Sequence, residues 1–149
     1  MGAEVMAIQE LTRIPMWIAP FNDVIDDMRR KPFEWHDNDC GPALVGRVVE
    51  ALTGQNFYDE YRNKYHDAES AYKVMRARGF KDLADLVASY LPEYEHPSEA
   101  KIGDIVAIKM DSQFKHALGI MNGETIIVMT PNGIGVMDRS NASRAFRVG

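Results

Sequence analysis

Residues 102–137 read IGDIVAIKMDSQFKHALGIMNGETIIVMTPNGIGVM. Four short runs rich in isoleucine and valine, at 104–110, 115–121, 124–129 and 134–137, are separated by Asp111-Ser112, Asn122-Gly123 and Pro131-Asn132-Gly133. Apolar runs of this length bounded by turn residues predict strands. Asn-Gly between two of them is a strong hairpin signal, because tight two-residue turns need positive φ. Residues 141–149 add a last strand. The second half of the chain therefore predicts an antiparallel β-meander.

Upstream the period changes. Val24, Ile25 and Met28 follow helical spacing from Phe21, and the helix should stop at Lys31-Pro32, since proline disfavours a helical residue before it. Residues 40–52 predict a second helix with Ala43, Leu44, Val48 and Leu52 on one stripe, Pro42 in its first turn and Gly54 after its end. Residues 57–65 are weakly helical, with Tyr58, Tyr61 and Tyr65 spaced as one packed face. A third helix spans 67–78 and closes at Gly79. A fourth, 81–91, carries Leu83, Leu86, Val87 and Tyr90 on one face and stops at Pro92, with 92–98 as a connector. Helices followed by a meander make an α+β domain. Residues 1–20 read as an N-terminal arm and 21–149 as a single domain.

Composition narrows the function. A net charge of −5, with Arg29-Arg30-Lys31 as the one basic cluster, points away from nucleic acid. No stretch approaches the roughly 18 apolar residues of a membrane span. Glu4 and Glu10 interrupt the first twenty residues, so no secretory signal is expected. A lone cysteine excludes an intramolecular disulfide. No two of Cys40 and the four histidines fall at ligand spacing on one element, so neither a metal nor any other cofactor is expected.

That cysteine is the candidate site. Cys40 lies in Asp39-Cys40-Gly41-Pro42, where a helix begins. A thiol in a first helical turn feels the positive end of the dipole, which favours the thiolate, and Asp39 is suited to cap the helix although its charge opposes a thiolate. A cysteine nucleophile also needs a base, usually histidine, held by a third polar group. His116 opens the run Lys115-His116-Ala117-Leu118-Gly119-Ile120 and is the candidate base; otherwise it is a solvent-facing strand residue. His36 suits packing or capping, and His66 and His96 lie in polar stretches. Phe33 and Trp35 flank the cysteine and serve either as core anchors or as walls of a cleft.

Trp35-(x)3-Asp39-Cys40, then Gly103-Asp104 before an apolar strand, then Ala117-Leu118-Gly119-Ile120-(x)2-Gly123, resembles the NlpC-type cell-wall cysteine peptidases over roughly residues 30–137. The resemblance implies a reduced papain-like fold, with the N-terminal helices packed on the antiparallel meander and Cys40 at the nucleophile position. In that family the base histidine stands two residues before the glycine, a position held here by Ala117, with His116 one residue upstream. Strict alternation would then turn His116 away from Cys40, and a one-residue bulge would bring it back. The third polar residue would fall near Met129 or Thr130, leaving Thr130 or Asn132 to serve.

Phe33-x-Trp35-(x)2-Asn38-Asp39-Cys40, Thr53-Gly54, Arg62-(x)2-Tyr65 and the closing Ala145-Phe146-Arg147-Val148 resemble a branch of this superfamily found in tailed phages and prophages. It implies a protein made in the cytoplasm and destined for the virion, partnered by other tail proteins as a tail-tip or tail-assembly component; alanine at the base position adds the expectation that its dyad is eroded. The alternative is an active peptidase or amidase cutting peptidoglycan peptides, with Cys40 attacking, His116 carrying the proton and backbone amides at the helix start binding the oxyanion. An unrelated cysteine enzyme or binding module is the third.

Overall fold

A computed structural model of the chain describes residues 11–33, 39–61 and 63–149. The expectations for the first ten residues and for Trp35, His36 and Arg62 lie outside the described residues.

The two halves differ as the sequence predicts: helices come first, then a five-stranded antiparallel sheet. Helix α1 (Ile18–Arg29) buries Phe21, Ile25 and Met28, which recur on one face. It starts three residues before Phe21, and the stretch ahead of it is tied down. Ile14 N–H donates to the Leu52 carbonyl at 2.8 Å, and the Arg13 guanidinium reaches the Val148 and Ile102 carbonyls at 2.7 and 2.8 Å.

The helix expected at 40–52 comes in two parts, a π-helical turn (Cys40–Gly46) and α2 (Arg47–Thr53). Asp39 is the cause of the wide turn. Its carboxylate takes the Ala43 N–H at 3.1 Å, the amide that an α-turn would give to its carbonyl, and the carbonyl takes Leu44 N–H instead at 2.9 Å. Val48, Val49 and Leu52 are fully buried; each such side chain contributes roughly 1.5–3 kcal/mol. Gly54, at φ 84°, ends the helix in the left-handed conformation that glycine adopts without strain.

Residues 57–61 form a 3-10 turn rather than the start of a longer helix, and Tyr65 lies beyond it. Helix α3 (Ala68–Ala77) starts on a reciprocal cap between Asp67 and Ser70. Helix α4 (Leu83–Ala88) is shorter than the expected 81–91: it starts later because Asp82 is its cap, the carboxylate accepting Ala84 N–H at 2.8 Å, and it ends at the C-cap Ser89.

Strands β1 (Ile105–Lys109), β2 (His116–Asn122), β3 (Thr125–Thr130), β4 (Gly133–Asp138) and β5 (Ala142–Phe146) lie in the order β4-β3-β2-β1-β5. Asn122 pairs with Thr125, so the β2–β3 loop is Gly123-Glu124, with Gly123 supplying the positive φ of 76°. The sheet is buried on both faces. Ile105, Ala107, Leu118, Ile120 and Phe146 pack against the helices, whereas Val106, Ile108, Met121, Ile126 and Ala145 pack with Tyr94 and Ala100 on the other side. Two-sided burial accounts for the unbroken apolar run Ile105–Ile108.

Candidate functional site

The cysteine and its surroundings line a cleft of about 300 Å³. The π-helical turn supplies Asp39 and Cys40, the 57–65 segment supplies Tyr58, Tyr61 and Tyr65, and the sheet side supplies His116 and Met129. Its walls are almost wholly apolar. Phe33 is one of them, the second of the two roles its position left open.

Asp39 is 2% exposed, and its second carboxylate oxygen accepts the Tyr65 hydroxyl at 3.0 Å. The cap is therefore a buried anion one residue from the thiol. Burial first, then the Asp39 charge, push the Cys40 thiol up from 9.0 to about 11. The dipole expected to favour a thiolate is outweighed, and the group is a protonated thiol at neutral pH. Burial, followed by the charge of Asp39, likewise pushes the Tyr65 hydroxyl well above its ordinary value.

Strand geometry decides where His116 goes. Leu118 and Ile120 pack on the helix-covered face, and His116, two residues before Leu118 on the same strand, shares it. Strict alternation from the glycine had turned it the other way; the correction is that Leu118, not Gly119, occupies the inward position two residues on. Cys40 and His116 consequently line the same cleft.

They point to different sides of β2. Met121 N–H donates to the Asp104 backbone carbonyl and Met110 N–H to the Lys115 carbonyl, at 2.9 and 3.0 Å. Alternation along an antiparallel ladder then aims the Leu118 N–H away from β1, towards the β3 side. Pairing with β3 begins only at Gly119, and before that point the Leu118 amide meets the Cys40 sulfur. The imidazole runs the opposite way. His116 Nδ1 lies 2.8 Å from Asp82 Oδ1, and Nε2 lies 2.9 Å from Ser143 Oγ on β5, beyond β1. His116 is 8% exposed and both of its ring nitrogens are held. Among the described residues, no imidazole bonds the Cys40 thiol.

A bulge does occur, but in β5. Ala107 pairs with Arg144 and Ile108 with Ala142, which leaves Ser143 as the extra residue and turns its hydroxyl to the ring. Neither residue expected to orient the histidine does so. The Thr130 hydroxyl is spent on the Gly133 carbonyl at 2.8 Å, closing the β3–β4 turn, and Asn132 is exposed in that turn. Asp82 holds His116 instead; helix-capping spacing was its one sequence signal. His66 is exposed beside Asp67, and His96 caps a short 3-10 turn by accepting Ser98 N–H at 3.1 Å; neither lines the cleft.

Gly103-Asp104 has a definite job. Asp104, 1% exposed, accepts Arg13 Nη2, the Tyr94 hydroxyl, Lys101 N–H and Val148 N–H at 3.1, 2.7, 2.8 and 2.9 Å. One carboxylate thus joins residues from both ends of the domain to the start of β1. No His, Cys, Asp and Glu cluster among the described residues is arranged to hold a metal, and no helix there is long and apolar enough to cross a membrane.

Comparison with known families matches residues 12–148 to one described as a domain of unknown function, DUF6950. No curated protein matches the chain. With nearly its whole length spanned by that match, the chain belongs to the DUF6950 family.

Proposed function

We propose that this protein is a tail-tip or tail-assembly component of a tailed phage, in which an NlpC-like scaffold has been kept and its cysteine dyad lost. The observation that carries the second half is the His116 ring: Asp82 and Ser143 hold both nitrogens, on the side of β2 away from the thiol. Supporting it, the Cys40 thiol is pushed up to about 11 by burial and by Asp39, the reverse of what a nucleophile needs. The virion half rests on the likeness of the Asp39-Cys40 opening, Thr53-Gly54 and the Ala145–Val148 ending to the phage branch. In a phage carrying the gene, Cys40→Ser leaves infectivity unchanged and deletion gives incomplete tails. Intact tails assembled without the gene would contradict the proposal.

A second reading has one observation in its favour: Cys40 and His116 line the same cleft. A peptidoglycan-peptide hydrolase would need the ring to leave Asp82 and Ser143 and swing across β2. Peptide cleavage by the purified protein, abolished by Cys40→Ala, would establish that reading and sink the first.

A further inference from the structure

The residues that keep His116 from Cys40 form a constellation of their own. Ser143 Oγ lies 2.9 Å from His116 Nε2, and His116 Nδ1 lies 2.8 Å from Asp82 Oδ1. An ionised carboxylate only accepts, so Nδ1 carries the proton, and in the neutral ring Nε2 is left with its lone pair towards the serine. Hydroxyl to Nε2 and Nδ1 to carboxylate is the connectivity of a serine nucleophile with its base and orienting acid. Each member is fixed independently: Asp82 by capping α4, His116 by the strand register, Ser143 by the β5 bulge. The Ser143 hydroxyl has a longer alternative acceptor, the Ala107 carbonyl at 3.2 Å. Ser143 is partly exposed and stands outside the residues that line the apolar cleft, of which His116 is one.

We infer that Ser143 is a nucleophile with His116 as its base and Asp82 as the positioning residue, acting on carboxylic esters. Ser143 Oγ attacks the ester carbonyl carbon while its proton passes to Nε2. The bond to the alcohol oxygen breaks, and that oxygen leaves with the proton. Water, deprotonated by the same nitrogen, then attacks the acyl-serine, releasing the carboxylic acid and restoring the hydroxyl. Cys40 takes no part; the inference shares with the tail-assembly reading only the two His116 hydrogen bonds, and labelling of Ser143 tests it without testing tail assembly.

The test is to treat the full chain with a butyl fluorophosphonate and locate the adduct by intact mass and peptide mapping. The expected result is a single adduct on Ser143, with an Oγ–P bond formed and fluoride released, and none on Ser143→Ala. His116→Gln should slow labelling about 100-fold or more, and Asp82→Asn should slow it and shift its pH profile while circular dichroism stays native. Hydrolysis of p-nitrophenyl butyrate should be lost in Ser143→Ala, a small change at a partly exposed site that carries the test if the other variants fail to fold. Folded wild-type protein without a Ser143 adduct, or Ser143→Ala hydrolysing the ester at the wild-type rate, would overturn the inference.

Discussion

His116 Nδ1 and Asp82 Oδ1 are 2.8 Å apart, and the same carboxylate oxygen accepts the Ala84 amide at 2.8 Å. One oxygen thus starts α4 and fixes the imidazole at the head of β2. Removing it strips a helix cap and leaves a nearly buried ring nitrogen without its acceptor. Asp82→Ala should therefore destabilise the domain by about 2–3 kcal/mol, and Asp82→Asn, which keeps a capping oxygen, by less. Urea unfolding at neutral pH measures both.

The Asp104 carboxylate makes four hydrogen bonds at 1% exposure. Asp104→Ala takes the carboxylate from Arg13 Nη2 and strips the Tyr94 hydroxyl and two backbone amides of their acceptor at once, so it should cost about 3–5 kcal/mol. Arg13→Ala removes one partner and should cost less. Equal losses in the two variants, read from thermal or urea unfolding, would show that Asp104 is not the hub described.

Gly119 is required by packing. A Cβ built there would lie 2.6 Å from Ile126 Cγ2 and 2.8 Å from the Ile127 carbonyl oxygen. The second contact is with backbone and has no rotamer to escape into. Gly119→Ala should cost about 1–3 kcal/mol, while Gly123→Ala meets nothing within 4 Å and suffers only from its φ of 76°. The difference between the two unfolding midpoints checks this.

The α+β order and all five strands were legible because apolar runs and turn residues report strand period directly. Boundaries were less so where one side chain redirects the backbone, as Asp39 does in widening the Cys40 turn and Asp82 in shortening α4. Cys40 could be found from its setting. What could not be read was the direction of His116, which depends on whether Leu118 or Gly119 faces inward, and that depends on pairing with β1. Asp82 and Ser143 were missed for the same reason. They reach His116 over 34 and 27 residues of sequence, through a cap and a bulge that leave only ordinary residues in the chain.

The thiol also predicts how stability depends on pH. Its value is raised from 9.0 to about 11 on folding, so between those values the folded state holds a proton that the unfolded chain has released. The contribution is complete below about pH 9 and is lost as pH rises towards 11, a total of about 2–3 kcal/mol. Tyr58 and Tyr65, raised by burial, act with the same sign, so the measurement is the difference in urea stability between wild type and Cys40→Ala at successive pH values. A wild-type excess that does not shrink over this range would contradict the assignment.

The rate of Cys40 alkylation by iodoacetamide against pH is the most direct test of the claim that His116 is not the base of Cys40. Burial and Asp39 predict a rate that still climbs about tenfold per pH unit at pH 9 and a profile that His116→Gln leaves unchanged. A plateau reached by about pH 7 and removed by His116→Gln would mean that Cys40 and His116 work as a pair, contrary to this account.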